Sequence, residues 1–123
     1  MTEVTRVRVL LVEDEGGIAL LLEDMLEELG CEIVASVARI SGALDVAASQ
    51  AFDLAVLDVN VAGETSFDLA RLLLERGTPF VFSTGYGATG LPADLASCPV
   101  LSKPFTLENL RQKIRECMGP GGG

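Results

Sequence analysis

Apolar and polar positions fall in blocks along the chain, and the period changes from block to block. Residues 7–12, VRVLLV, form a short β-branched run that predicts a buried strand. EDE and GG follow, which is turn chemistry. From residue 18 the period becomes helical. IALLLEDMLEELG sets Ile18, Leu21, Leu22, Met25, Leu26 and Leu29 on one face, with Glu23, Asp24, Glu27 and Glu28 opposite and Gly30 as the C-terminal stop. CEIVASV (31–37) predicts a second strand and 40–50 a second helix. DLAVLDV (53–59) predicts a third strand, apolar until Asp58, and SFDLARLLLERG (66–77) a third helix ending at Gly77. PFVFST (79–84) and CPVLS (98–102) predict a fourth and a fifth strand. Thr106 then caps a last helix with Leu107, Leu110, Ile114 and Met118 inward.

Strands that are apolar on both faces and alternate with helices imply a parallel sheet covered on both sides. Five such units in one α/β domain fit a flavodoxin-like doubly wound sheet of order 2-1-3-4-5. One unit is abnormal. Between Gly87 and Cys98 there is room only for a turn or two, with PADLAS (92–97) placing Pro92 at its first position. The fourth helix is expected to be short or irregular.

The 123 residues make one domain with enough chain for a sizeable core. That domain is expected over 1–118, with GPGGG (119–123) as a flexible tail. No apolar run approaches the roughly 20 residues needed to span a bilayer. The opening MTEVTRVRVL, with an acid at Glu3 and arginines within it, does not read as a signal peptide. A cytoplasmic protein with no membrane partner is expected. Cys31, Cys98 and Cys117 are widely spaced, and there is no histidine, so neither a disulfide framework nor a zinc site is predicted. Buried thiols are the expectation. The net charge of −9 argues against nucleic acid as a partner.

In such a sheet, functional groups gather beyond the carboxyl ends of the strands. Glu13 and Asp14 follow strand 1, Asp58 ends strand 3, Thr84 ends strand 4 and Lys103 follows strand 5. Taken singly, each has an ordinary explanation: a turn or cap acid, a favourable acid before a helix, a turn hydroxyl, a solvated charge. Parallel winding brings all five to one rim. Three carboxylates there repel one another unless a cation sits among them. Oxygen donors without His or Cys favour Mg²⁺. With Lys103 it would balance the three acids and leave coordination positions for a phosphoryl oxygen.

Four motifs carry a resemblance: VEDE after strand 1, LDVN after strand 3, STG after strand 4 and SKPFT after strand 5. In that order and at those strand ends, they are similar to the receiver domain of two-component response regulators, over essentially the whole chain. FSTGYG with GETSF further resembles a subgroup of single-domain receivers with an FATGY-type fourth strand. The resemblance implies that Asp58 accepts a phosphoryl group as an acyl phosphate. It implies that Asp14 binds Mg²⁺ directly, Glu13 binds it through water, Asp58 is a ligand, and Asn60 offers its backbone carbonyl. Thr84 and Lys103 would hold phosphoryl oxygens, and Lys103–Pro104 would be a cis peptide. The donor would be a sensor histidine kinase or a histidine phosphotransfer protein. With no histidine, the chain cannot supply its own phosphohistidine. The implied function is a stand-alone receiver that signals through an unidentified output protein or drains phosphate as a sink. Slow autodephosphorylation would make it a timer, not a metabolic enzyme.

The chain departs from the family in three places. The position three before the lysine, usually aromatic, is Val100, so Tyr86 or Phe82 is expected to carry part of the signal. Tyr86 reads equally as a partly buried loop aromatic. Ala62 stands where a proline is usual, leaving Gly63 to make the turn. With the fourth helix reduced, output is expected to depend on residues 85–97 ordering when phosphate arrives. The acidic face of the first helix is a solvated surface or a kinase-docking surface. Two other functions compete. A flavodoxin-like cofactor-binding module is suggested by the Ser/Thr/Gly loop, but that loop follows strand 4, and there is no Trp and one Tyr. A Mg²⁺-dependent phosphatase would need a second acid two residues after Asp58, where Asn60 stands.

Overall fold

A computed structural model describes residues 6–85 and 90–118. In chain order these form β1 (Arg8–Val12), α1 (Gly16–Glu28), β2 (Glu32–Val37), α2 (Ile40–Ser49) and β3 (Leu54–Asp58). A small hairpin follows, β4 (Asn60–Val61) and β5 (Glu64–Thr65), then α3 (Phe67–Arg76) and β6 (Phe80–Thr84). A 3₁₀ turn (Ala93–Leu95), β7 (Val100–Ser102) and α4 (Leu107–Met118) complete the described chain. The main sheet has five strands in the order β2-β1-β3-β6-β7, all parallel. This is the expected 2-1-3-4-5 winding, with β6 and β7 as its fourth and fifth strands.

Strand pleating splits the core into two layers. Leu10, Val12, Ala55, Leu57, Phe80 and Phe82 pack on one side with Ile40 and Ala43 of α2 and Leu69 and Leu73 of α3. Val9, Leu11, Leu54, Val56, Val81 and Leu101 pack on the other with Leu22 and Leu26 of α1 and Leu110 of α4. Alternation by one residue explains the division, since successive side chains on a strand face opposite ways. The central strands β3 and β6 are buried at every position, so each must be apolar on both faces until its last residues.

Three local expectations need correction. Leu21 was placed inward but is 43% exposed, beside Leu20 at 63%. The buried stripe of α1 centres on Leu22 and Leu26, and Leu21 lies at its margin. Pro92 precedes the 3₁₀ turn at its cap and is not its first helical residue. Leu95 alone of that turn is buried, and the exposed Asp94 receives two hydrogen bonds from Arg71 of α3 at 2.8 and 3.2 Å. Of the three thiols only Cys31 is buried, while Cys98 and Cys117 are half-buried. The last two line a cavity of about 710 Å³ with Leu74, Phe80, Val100 and Lys113, and burial pushes the Cys117 thiol up to about 11.

Helix ends follow their sequence signals. Gly77 has φ 71° after α3, and the next N–H, of Thr78, donates to the Leu73 carbonyl at 2.9 Å. At the start of α4, Thr106 Oγ1 accepts from Asn109 N–H at 3.0 Å while Asn109 Oδ1 accepts from Thr106 N–H at 3.0 Å. Two otherwise unpartnered donors are satisfied reciprocally. Thr106→Ala should therefore lower stability by about 1 kcal/mol. Urea titration should show a lower midpoint with an unchanged slope; an unchanged midpoint would mean the cap contributes nothing.

Candidate functional site

The rim is assembled by strands that run out of apolar residues at one edge. β1 is prolonged by one bond, Glu13 N–H to the Val37 carbonyl at 3.0 Å, so Glu13 is held as a further strand residue. It is 3% exposed, and its Oε2 accepts from the Glu15 N–H at 3.1 Å. Asp58, 8% exposed, is the last residue of β3 and lies in register with Ser83. Lys103 follows β7, its N–H donating to the Thr84 carbonyl at 2.9 Å. Thr84 is 5% exposed. Asp14 is exposed.

One carboxylate oxygen from each of Glu13, Asp14 and Asp58 lies within 4.8 Å of the other two. Lys103 Nζ is 3.3 Å from Asp58 Oδ2, to which it donates, and 3.3 Å from Glu13 Oε1. The second contact is an ion pair without hydrogen-bond alignment, so Glu13 Oε1 is a buried oxygen with no donor among the described residues. Three carboxylates face one ammonium, a surplus of negative charge where solvent is scarce. The donor set is all oxygen, the choice of a hard cation. The orphaned Glu13 oxygen and the close trio of carboxylates both fit a divalent ion of that kind.

The connection from β3 to α3 completes the site. Ala62 has φ 51° and Gly63 φ 86°, and β4 pairs with β5 through Asn60↔Thr65 and Val61↔Glu64. Two left-handed residues between paired strands make a type I′ connection. Gly63 was expected to make this turn alone; Ala62 shares it. A non-glycine residue there costs roughly 1–2 kcal/mol. The Ala62 N–H donates to Asp14 Oδ2 at 2.9 Å, so the carboxylate helps hold the disfavoured backbone in place. Asn60, exposed in β4, stands at the foot of this hairpin.

Other predicted residues fall differently. Phe82 is fully buried, with its ring edge-on to Phe80 at 5.3 Å and to Phe67 at 6.3 Å. It is a core ring, in register with Val100. Tyr86 lies outside the described residues, as does residues 86–89 of the segment expected to order with phosphate. A Cβ added at Gly85 would meet no described atom within 4 Å. The expected cis peptide is present at Lys103–Pro104.

Two buried hydroxyls escaped the sequence reading. Ser83, fully buried beside Asp58 in the sheet, has an Oγ with no partner among the described residues. Ser66, also fully buried, donates its hydroxyl to the Asp58 carbonyl at 2.7 Å. The sequence reading places Ser66 as the first residue of the third helix, whereas α3 starts at Phe67 and Ser66 stands at its cap position.

Burial raises Glu13 above the ordinary 4.5; the Glu15 N–H opposes this, the Asp58 charge adds to it, and Lys103 opposes it. Lys103 is pulled down by burial but pushed up further by Asp58 and then Glu13, and ends above its usual 10.5. Because the folded protein binds a proton at Glu13 more tightly than the unfolded chain does, Glu13 favours folding fully below about pH 4.5. That contribution is lost as pH rises through the folded value. In chelator, Glu13→Gln should remove this loss. Its urea midpoint should fall less than that of the wild type between about pH 4.5 and pH 7; parallel midpoints would contradict the assignment.

The response regulator receiver domain model matches residues 9–115. Sensory transduction protein LytT of Bacillus subtilis is 33% identical over 116 residues, covering 89% of this chain and 47% of that protein. The chain spans about half the length of the first curated relatives it matches. Among solved structures, SdrG from Sphingomonas melonis Fr1 is 36% identical with a TM-score of 0.85, covering 95% of this chain and 100% of that one. The PhyR receiver domain of Erythrobacter litoralis is 27% identical with a TM-score of 0.81, covering 92% of this chain and 90% of that one. With the parallel five-stranded winding and the acidic rim at the ends of β1 and β3, these matches establish that the chain belongs to the response regulator receiver domain family, the phosphoacceptor switches of two-component signalling.

Proposed function

We propose that Asp58 is the phosphoacceptor, and that Glu13, Asp14 and Asp58 with the Asn60 carbonyl hold Mg²⁺ beside it. One observation carries this reading: three carboxylates from two strand ends within 4.8 Å, one of them with a buried oxygen that accepts no hydrogen bond among the described residues. Mg²⁺, when bound, neutralises the acidic rim and the oxygens of the incoming phosphoryl group.

The chain's own groups do the rest. Asp58 is held by β3 with its carboxylate toward the rim, and Lys103 Nζ at 3.3 Å limits where that carboxylate can turn. An Asp58 oxygen attacks phosphorus and forms the new P–O bond. The bond from phosphorus to the donor breaks, and its electron pair leaves with the donor. From a phosphohistidine the ring leaves with the electron pair as imidazolate and takes a proton from water to become neutral imidazole. From a small acyl phosphate it is the carboxylate. Lys103 remains to pair with a phosphoryl oxygen, and the Thr84 hydroxyl stands at the end of the neighbouring strand to bind another. Phosphoryl transfer needs placement and charge stabilisation more than covalent help, and the site supplies both.

The domain is read as residues 1–118. The donor is a sensor histidine kinase or a histidine phosphotransfer protein. The output is a partner protein that reads the phosphorylated surface, or removal of phosphate from the donor. We read the chain as a stand-alone receiver by analogy with the SdrG chain, which it matches over the whole of that chain's length. A cytoplasmic setting belongs to this reading because histidine-kinase phosphotransfer is its premise; separately, no described helix is long and apolar enough to cross a membrane. Slow hydrolysis of the acyl phosphate would end the signal.

Incubation with acetyl phosphate and Mg²⁺ should add one phosphoryl group by intact-mass spectrometry. The gain should vanish with a chelator and in Asp58→Asn. A gain that survives in Asp58→Asn, or no gain in the wild type, would overturn the assignment. Mg²⁺ should also raise the urea midpoint of the wild type, and raise it less in Glu13→Gln.

A further inference from the structure

Ser66 occupies the cap position of α3, with φ −94° and ψ 15°, yet its side chain makes no bond to the helix it precedes. A serine there usually accepts from an N–H of the first turn. Here the hydroxyl turns the other way and donates to the Asp58 carbonyl at 2.7 Å, with a longer contact to the Val59 carbonyl at 3.4 Å. The Ser66 N–H donates to the Val59 carbonyl at 2.9 Å, and its own carbonyl accepts from Ala70 N–H at 2.9 Å. One fully buried residue thus bonds the peptide on either side of Val59 and the first turn of α3.

The consequence lies in what the Asp58–Val59 peptide controls. Asp58 is the last residue of β3, where the ladder to β6 ends with Val59 N–H bonded to the Ser83 carbonyl at 3.0 Å. Beyond that point no strand of the main sheet partners the chain, and Asn60 and Val61 pair only with β5 of their own small hairpin. Rotation of this peptide would swing the Asp58 Cα–Cβ direction, and with it the carboxylate. The same eight-residue connection carries Asn60. The Ser66 hydroxyl fixes the peptide from below, as the Asp14 carboxylate fixes the hairpin from above.

We propose that Ser66 is a positioning residue for phosphoryl transfer: through the Asp58 carbonyl it sets the direction from which the Asp58 carboxylate meets phosphorus. The proposal rests on Asp58 being the phosphoacceptor. It is distinct from a cap, which would act on α3 alone. Small misplacements of a reacting group, on the order of 1 Å, cost about 100-fold in rate. Loss of one tether, with the ladder and Lys103 still in place, should cost less, about tenfold.

The test follows phosphorylation by acetyl phosphate with intact-mass readout, at saturating Mg²⁺ and well below each variant's unfolding midpoint. Ser66→Ala should slow the rate constant per folded molecule by about tenfold. Ser66→Cys keeps the side-chain size with a weaker donor and should fall between Ser66→Ala and the wild type. A merely structural role would lower the unfolding midpoint and leave the rate per folded molecule unchanged. Rates of both variants within about twofold of a phosphorylated wild type would overturn the proposal while Asp58 stands as acceptor. If Ser66→Ala does not fold, Ser66→Cys decides alone: a severalfold slower rate supports the proposal and a wild-type rate overturns it. A wild type that gains no mass removes the acceptor assignment and this proposal together.

Discussion

The structure turns on electrostatic repulsion that the fold itself creates. Parallel strands buried on both faces must be apolar along their length, so their polar residues collect where they end. β1 and β3 are neighbours in the sheet, and both end in acid. Packing that holds Leu11 and Val56 in one layer therefore also crowds Glu13 and Asp58. Neither can retreat to water, since both are nearly covered. Lys103, delivered from the far edge of the sheet by β7, is the single basic group that reaches them among the described residues. Its charge leaves the trio unbalanced, and a site that is unbalanced in this way is selective for small, hard, doubly charged ligands and for the anions they bring.

Repulsion alone would open the rim. The β3–α3 connection resists this by hydrogen bonds to its backbone. Asp14 holds the left-handed Ala62, and Ser66 holds the carbonyl of Asp58. Both partners are side chains placed by other elements, the loop after β1 and the start of α3. The connection is short, but its conformation is set at both ends. Rigid placement of this kind is what a reaction governed by positioning requires.

Much of this was legible before any coordinates. Strand and helix periods alternate cleanly because the sheet is covered on both sides, so each strand reads as an unbroken apolar run. Glu13, Asp14, Asp58, Thr84 and Lys103 were visible as a set because parallel winding places strand ends together without regard to sequence distance. The hairpin was not visible, since two-residue strands such as Asn60–Val61 have no period to read. Leu21 misled because a helical stripe has margins, and an apolar residue at the margin costs little when exposed. Ser66 and Ser83 were hidden for a different reason. A hydroxyl before a helix or near a strand end is ordinary in sequence, and only burial and hydrogen-bond accounting separate the exceptional case.

The site is joined to the 3₁₀ turn through α3. α3 meets Asp58 at Ser66 and meets the 3₁₀ turn at Arg71, whose guanidinium grips Asp94. Five residues of helix rise about 7.5 Å, so the two contacts sit within two turns of one rigid rod. Leu95, next to Asp94, is packed into the same layer as Leu69 and Leu73. A fourth helix of ordinary length would bring its own apolar face to that layer. Among the described residues, the buried Leu95, the partly buried Leu91 and Cys98 and one exposed ion pair do so instead, and the exposed pair contributes little. The 3₁₀ turn is thus fastened by this ion pair to α3, the helix that begins beside the Asp58 carbonyl.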